Sequence, residues 1–445
     1  MVNGNLSELF IVRSEIQVYV GIAERRRGMK NLSCSGKGVW IKGSIVLFLM
    51  LGFFFAGPIG IGHAADEVKL GIVTGLTGPG APWGKRAWNT AQLLLDELNA
   101  KGGIKSMGGA TIKYVVMDHQ TKPDIAGSNT EKLIRDGVSA IIGCNNSDSA
   151  MVASQVCQRA KIPYIDNNDH DPMLTERGFD YVFRVCHSGT QLGDGTLEFA
   201  QWLAKMGGKA PTKVGIVCCQ SAAPYATFKE WEVSIPKVYN VVFKQSYPVA
   251  QQDYSGIVSN MKKLGVDFVF QMAYPADAIL LTRTFKELDF NPMAFLADDS
   301  GHDVLDYIKA VGKDADYLFC TTTYTPDLKI PLLEELRAKY MSRFGVEFDR
   351  ADALMANAVS VFVDAVERAG SGNPAKLREA LKATNLSVGQ YWYVVPDGCK
   401  FNEKNQNVKQ KLMTFQIRDG KWRTVHPQEL AVEKPVYPIP PWNKR

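Results

Sequence analysis

The chain has 445 residues, of which 46% are hydrophobic, 22% charged and 10% aromatic. This composition excludes a disordered or low-complexity chain, and the length predicts two domains. The net charge is +5, but the first 65 residues hold seven basic and three acidic residues, so the remainder is close to neutral. A neutral body lacks the basic face that nucleic-acid binding requires, so we expect no nucleic-acid partner.

The N-terminal segment 1–65 has the pattern of a leader. Its apolar run IVLFLMLGFFFA at 45–56 follows a lysine-bearing stretch and ends at a Gly/Pro break. The run is shorter than the roughly 20 residues of a membrane span, and small residues suit cleavage after Ala64 or Ala65. We expect a cleavable signal peptide, a true start at Met29 and export to the periplasm. A retained membrane anchor is the alternative.

The first predicted strand, at 68–73, is followed by GLTGPGAPWGKR, the place where phosphate-binding loops occur. The spacing fits neither phosphate motif. Gly84 comes one residue late for the dinucleotide fingerprint, and Arg86 stands where a phosphate loop needs Ser or Thr. We therefore expect no nucleotide cofactor. The segment instead places one large aromatic side chain, Trp83, at a helix N-terminus beyond the strand.

After Asp66, short apolar runs rich in β-branched residues alternate with amphipathic stretches. The ten runs lie at 68–73, 111–117, 138–144, 161–165, 181–185, 213–219, 240–245, 267–272, 294–298 and 316–321. Strands that are apolar on both faces and alternate with helices form parallel sheets covered on both sides. Ten strands are too many for one comfortable sheet. The sequence therefore predicts an α/β fold with two doubly wound parallel-sheet lobes.

The pattern changes toward the C-terminus. Three helices and then three strands are predicted, at 331–344, 352–369, 374–384, 391–395, 411–417 and 421–425. Asp419-Gly420 predicts a tight turn between the last two strands and hence an antiparallel pair. The Pro-rich segment 431–445 is expected to lie on the surface as a tail.

Seven cysteines follow the leader, an odd number without CxxC spacing. At least one thiol is therefore unpaired, and we expect most of them to be buried packing groups. GxSxG and HExxH motifs are absent, and the histidines have no ligand spacing, so the sequence predicts no enzyme, no metal site and no cofactor. An enzyme that uses the acidic and histidine cluster at 166–171 is the alternative.

Polar segments follow two predicted strands, CNNSDS at 144–149 and DNNDHD at 166–171. Ligands of parallel sheets bind beyond the carboxyl ends of the strands, and helix N-termini there attract carboxylates. Tyr225, Tyr274 and Tyr324 lie near three further strand ends. Packing and N-capping explain each residue singly, whereas several in one cleft indicate a ligand site.

From about 68 to 417 the order and spacing of these segments resemble the type I periplasmic solute-binding proteins of ABC transporters, in particular the branched-chain amino-acid (Leu/Ile/Val) binding group. The segments that carry the resemblance are LTGPGAPWG, LLLDELNAKGGI, MDHQTKP, GVSAIIGCNNSDSA, KIPYIDNNDHDPMLTERG, APYA, DFVFQMAYPADA and AFLADDSG.

The resemblance implies two lobes joined by three hinge crossovers, near 186–189, 322–325 and 386–390. Residues 66–187 and 323–388 would then form the N-terminal lobe. Residues 188–322 and 389–430 would form the C-terminal lobe.

The resemblance also implies seven ligand-binding residues, which are Trp83, Ser147, Asn168, His170, Tyr225, Tyr274 and Asp299. Ser147 corresponds to the hydroxyl that receives a ligand carboxylate, and Asp299 corresponds to the acid that pairs with a ligand ammonium. His170 and Asn168 are bulkier and more polar than the Thr and Ala that the family has there, so the identity of the solute stays open.

The function implied by the resemblance is that of the extracytoplasmic substrate-binding component of an ABC transporter. Such a protein, expected here as a monomer, closes on a small polar solute by hinge motion and delivers it to the membrane permease. A branched-chain-like amino acid is the first candidate solute. A binding protein for an aromatic or aliphatic carboxylate, an amide or urea, and a sensory ligand-binding module are the alternatives.

Overall fold

Two parallel-dominated sheets covered by helices organise the chain. The computed structural model describes residues 67–299 and 301–445, so the predicted signal peptide and start at Met29 lie outside the described residues. Among the helices of these two stretches, none is both long and apolar enough to cross a membrane.

The first sheet is built from the N-terminal third of the described chain. In chain order its elements are β1 (Val68–Thr74), α1 (Ala81–Ala100), β2 (Ile112–Asp118), α2 (Pro123–Arg135), β3 (Ala140–Cys144), α3 (Ser147–Ala160), β4 (Tyr164–Asp166), α4 (Met173–Glu176) and β5 (Val182–Arg184). All five strands are parallel, in the order β2-β1-β3-β4-β5. The central strands β1 and β3 are buried on both faces, as their continuous apolar runs predict.

The second sheet follows. Its first elements are α5 (Gly189–Met206), β6 (Val214–Cys219), α6 (Ala222–Ser234), β7 (Val241–Tyr247), α7 (Ser255–Leu264), β8 (Phe268–Met272), α8 (Pro275–Glu287), β9 (Ala294–Asp298), α9 (Leu305–Val311) and β10 (Phe319–Thr322). The five strands of this segment pair with one another in parallel. The prediction of two parallel-sheet layers is confirmed.

The remaining elements are three helices, a separate two-stranded sheet and the last two strands of the second sheet. They are α10 (Pro331–Phe344), α11 (Arg350–Ala369), α12 (Pro374–Lys382), β11 (Asn385–Leu386), β12 (Cys399–Lys400), β13 (Met413–Arg418) and β14 (Lys421–His426). The helices α10 to α12 pack in the core of the first sheet. β13 and β14 complete the second sheet, whose order is β14-β13-β10-β9-β8-β6-β7. The predicted antiparallel pair is confirmed, with Asp419 and Gly420 at positive φ in its turn.

The predicted strand at 391–395 is wrong. The segment is buried, but its backbone groups are bound by side chains of α11 instead of by a neighbouring strand. The Trp392 N–H donates to Ser360 Oγ at 3.0 Å, and the Val394 N–H donates to Asn357 Oδ1 at 2.9 Å. Apolar composition predicted the burial correctly, whereas the hydrogen-bond partners that decide the conformation come from a distant helix.

The chain leaves the first sheet after β5, returns to it after β10 and leaves it again before β13. Trp392, Cys399 and Phe401 still pack in the core of the first sheet. These residues come after the predicted crossing at 386–390. The domain bounds given above stay a prediction.

Two smaller expectations concern cysteines and the C-terminal tail. All seven cysteines after the leader are buried and free, as expected of packing groups. In the Pro-rich tail the Ile439 N–H donates to the Met293 carbonyl at 2.9 Å, and Trp442 Nε1 donates to the Phe290 carbonyl at 2.8 Å. The tail thus lies against the second sheet.

Candidate functional site

Three segments at the carboxyl edge of the first sheet supply one wall of the site. Trp83 lies in the first turn of α1, which begins beyond β1. Asn145 and Asn146 connect β3 to α3, and the loop after β4 carries Asn168 and further polar residues. The site therefore stands where a parallel sheet exposes its loops and helix N-termini to a ligand.

The second sheet supplies the facing wall in the same manner. Tyr274 is the N-cap residue of α8 beyond β8, Ala223 lies in the first turn of α6, and Asp299 directly follows β9. The Trp83 and Tyr274 rings meet edge to face, with centroids 5.2 Å apart and planes at 80°. This contact joins the two walls through a favoured aromatic geometry.

A small cavity of about 20 Å³ separates the walls, room for about one water molecule. Its lining residues are Trp83, Asn145, Asn146, Asn168, His170, Ala223, Tyr274 and Arg350. Four of the seven sequence-predicted residues are among them. A solute of amino-acid size therefore requires these walls to move apart.

Asp299 lies beside this cavity in a buried ionic cluster. Its carboxylate is 3.3 Å from Arg350 Nη1, 3.0 Å from His187 Nε2 and 3.4 Å from His170 Nδ1. The same guanidinium lies 2.5 Å from Asp303 and donates to Asn168 Oδ1 at 2.9 Å. Arg350 is the first residue of α11, so the cluster joins residues that the two sheets position separately.

Burial and charge set the ionisation of this cluster. Burial opposes ionisation of Asp299, but Arg350 and the neighbouring imidazoles outweigh it and hold the pKa of the carboxyl below its usual range. Burial also disfavours the charged form of Arg350, yet Asp299 and Asp303 raise the pKa of the guanidinium. Burial lowers the pKa of His170 to about 3. Near neutral pH the cluster therefore holds an ionised Asp299, a cationic Arg350 and a neutral His170.

Ser147 supports this site from behind. It is the first residue of α3 and is buried. Its Oγ accepts a hydrogen bond of 3.1 Å from the His170 backbone N–H. The hydroxyl therefore holds the loop that carries His170. For Ser147 to receive a solute carboxylate, that hydroxyl has to turn toward the cavity.

Tyr225 lies apart from the other predicted residues. It is 40% exposed and stacks on Phe228, and Lys229 lies over its ring. It lines an open pocket of about 390 Å³ together with Asp148 and Ser221. In the arrangement described, Tyr225 is therefore at the mouth of the interface between the sheets and does not line the cavity.

The sequence did not point to Arg350, His187 or Asp303. One local signal marks Arg350: it follows the N-cap Asp349, so a cation stands in the first turn of a helix, where the macrodipole disfavours it. Such a residue needs a specific anionic partner. His187 and Asp303 show no local signal, because their roles depend on residues far away in the sequence.

Comparison with known proteins agrees with this architecture. The family model for periplasmic binding proteins matches residues 67–421. A Leu/Ile/Val-binding protein homologue of Brucella suis is 28% identical over 84% of this chain and 95% of its own length. A second Leu/Ile/Val-binding protein homologue, from Brucella abortus, is 29% identical over 83% of this chain and 93% of its own length.

Two solved structures share the fold at low identity. The branched-chain amino acid transporter substrate-binding protein of Streptococcus pneumoniae, in complex with isoleucine, is 20% identical with a TM-score of 0.71, covering 81% of this chain and 100% of that one. An ABC transporter solute-binding protein of R. palustris, in complex with benzoate, is 19% identical with a TM-score of 0.70, and the match covers 81% of this chain and 96% of that one. By the extent of the family match and the fold, this chain belongs to the periplasmic binding protein family.

Proposed function

We propose that the chain is the extracytoplasmic substrate-binding component of an ABC transporter and that its leader exports it. In this role the protein binds a small carboxylate-bearing solute between its two lobes. The observation that carries this proposal is the cavity whose walls come from the carboxyl edges of both sheets. Opening and closing of the walls admits and encloses the solute, and the closed form is what a permease recognises.

Branched-chain amino acids are the first candidate solutes, because relatives and a solved neighbour are described as binding them. In this proposal Ser147 and the N-terminus of α3 hold the carboxylate, and Asp299 receives the ammonium. Each such charge-assisted hydrogen bond contributes roughly 1.5–3 kcal/mol. Trp83 and Tyr274 enclose the side chain.

An aromatic carboxylate is the second candidate, and a specific contact favours it. Asp299 already has a cationic partner in Arg350 at 3.3 Å, so this carboxylate is paired without an ammonium from the solute. Trp83 and Tyr274 offer aromatic faces and edges to such a ring. A solved neighbour that is described in complex with benzoate shares the fold.

The lobes proposed here follow the predicted bounds except at the last crossing. We place that crossing between Asn407 and Met413 because Trp392, Cys399 and Phe401 pack with the first sheet. Asn407 also donates to the Val185 carbonyl at 3.0 Å. A monomer that exchanges open and closed forms is the expected state.

A stability screen tests the proposed function. The solute-stripped protein is heated with leucine, isoleucine, valine, benzoate or 3,4-dihydroxybenzoate, and the binder raises the unfolding temperature as RT ln(1 + [L]/Kd). Mass spectrometry of the incubated solute shows whether it is unchanged. Stabilisation by one class with the solute intact supports the proposal. Absence of stabilisation by every carboxylate, or chemical conversion of the solute, contradicts it.

A further inference from the structure

Three residues far apart in the sequence meet beside the cavity: His170, His187 and Asp299. His170 lies in the loop after β4, His187 follows β5, and Asp299 follows β9. One nitrogen or oxygen atom from each lies within 4.8 Å of the other two. His170 Nδ1 is 3.4 Å from Asp299 Oδ1, and His187 Nε2 is 3.0 Å from Asp299 Oδ2.

These three side chains are nearly inaccessible to solvent, at 2%, 1% and 0% exposure. Among the described residues, neither ring nitrogen of either histidine and neither oxygen of Asp299 has a hydrogen-bond partner of normal geometry. Unsatisfied buried polar atoms are costly and uncommon. One nitrogen of each imidazole and the carboxylate oxygens can offer lone pairs, so this cluster suits a ligand that accepts lone pairs.

Protonation of both imidazoles does not satisfy the cluster. The two rings are 4.5 Å apart between centroids, and two imidazolium groups at that distance repel each other. Two imidazole nitrogens facing a carboxylate are instead the donor set of zinc and related divalent transition metals.

We propose that His170, His187 and Asp299 bind one divalent transition-metal ion of the zinc class. Bonds of about 2.0–2.1 Å in a tetrahedral site place ligand atoms roughly 3.3–3.4 Å apart. His187 Nε2 and His170 Nδ1 lie 3.0 and 3.4 Å from different oxygens of the carboxylate. An ion between them would therefore bind both oxygens or draw one of them inward. Arg350, 3.3 Å from Asp299, orients the carboxylate as outer partners of metal ligands do.

Because the ligands come from both sheets, the ion would act on closure of the two lobes as well as on solute binding. His170 belongs to the first sheet and Asp299 to the second, so a bound ion favours the closed arrangement over the open one. Three protein ligands leave a fourth coordination position of the ion open. Because His170 lines the cavity, this position is close to the solute. With Asp299 as its one anionic ligand the ion stays cationic. For the second candidate solute, which has no ammonium, a carboxylate oxygen is the group that suits this position.

The test is a cobalt titration of the full mature chain after removal of metals with EDTA. Cobalt(II) reports a site of low coordination number through visible absorption, and zinc displaces it. We expect one bound ion per chain. His187→Gln should weaken cobalt binding by at least about 10–100-fold, whereas His302→Gln, which removes another buried histidine with unpartnered nitrogens, should leave it within twofold.

Asp299→Asn provides a second variant, and circular dichroism confirms that each variant is folded. X-ray absorption of the wild-type complex should show imidazole ligands, a readout that needs no variant. Failure of the wild type to bind cobalt or zinc, or equal affinity in the His187 and His302 variants, overturns the proposal. Solute binding by the EDTA-treated protein is measured in parallel, so loss of the metal site and loss of the proposed function are told apart.

Discussion

The Arg350 guanidinium lies 3.3 Å from the Asp299 carboxylate, and this pair joins the start of α11 on the first sheet to the end of β9 in the second. Both side chains are buried. An ion pair in this position stabilises the closed arrangement and also determines the charge that a solute meets in the cavity. Its removal should therefore affect folding and binding together.

Arg350→Met should lower the free energy of unfolding by about 3–5 kcal/mol, because it leaves Asp299 buried without its guanidinium partner. Urea denaturation measures the loss. Arg135→Met is the control, since Arg135 and Glu131 form an exposed pair at 3.9 Å and such pairs contribute about 0–1 kcal/mol. Equal and small losses in the two variants would show that the buried pair adds no stability.

Trp83→Ala should weaken solute binding by at least about tenfold, because the indole contributes apolar area on the cavity side and contacts Tyr274. Calorimetric titration gives the affinity. Trp88→Ala is matched to it: Trp88 lies on the same helix but packs against Tyr114 and does not line the cavity. If both changes weaken binding equally, the cause is loss of α1 stability, and a direct contact between Trp83 and the solute is contradicted.

Ser221→Ala should weaken solute binding by roughly 2- to 10-fold, the equivalent of about 0.5–1.5 kcal/mol for one lost hydrogen-bonding group. Ser221 Oγ lies 2.8 Å from the Tyr274 hydroxyl and donates to Asp148 Oδ2 on α3 at 3.2 Å. It therefore connects the two walls only when they are closed. Ser128→Ala, on exposed α2, is the control. An unchanged dissociation rate in Ser221→Ala would contradict this role.

Gly84→Ala should destabilise the fold by about 1–3 kcal/mol or more. A Cβ at this position would lie 2.0 Å from the Gly75 carbonyl oxygen, so the first turn of α1 would have to move away from β1. Gly256→Ala on α7 meets nothing within 4 Å, and it should stabilise by about 0.5–1 kcal/mol. Thermal unfolding compares the two, and opposite signs are expected. A shift of the same sign would count against the packing described.

His302→Gln should change stability in a pH-dependent way. Burial lowers the pKa of His302 to about 3, while the unfolded chain binds that proton near pH 6.5. The stability that the neutral imidazole retains above pH 6.5 is therefore lost as the pH falls toward 3. Relative to the variant, the wild type should lose about 2 kcal/mol between pH 7 and pH 5. Urea denaturation at both pH values checks this, and a constant difference refutes it.

The sequence predicted the layers of the fold well because parallel strands buried on both faces leave a local signal. The run at 138–144 is one example, and β3 spans Ala140–Cys144. The segment at 391–395 was also predicted as a strand but does not form one. Its hydrogen-bond acceptors, Asn357 and Ser360, come from α11, and no local pattern shows that two side chains take the place of a neighbouring strand.

The candidate site was predictable only in part for a similar reason. Trp83 and His170 stand at strand ends, where position alone favours a ligand site. The partnership of Arg350 with Asp299 depends on two sheets meeting, which spacing in the sequence does not reveal. Tyr225 matched the pattern as well as Tyr274 did, yet it lies in an open pocket in this arrangement.

In the function proposed above, a small carboxylate binds between Trp83 of the first sheet and Tyr274 of the second. A crystal structure of the protein with the solute that stabilises it in the thermal screen tests this most directly. We expect solute density enclosed by Trp83, Asn168, His170 and Tyr274. Density confined to another surface, such as the open pocket at Tyr225, with this cavity unchanged, would contradict it.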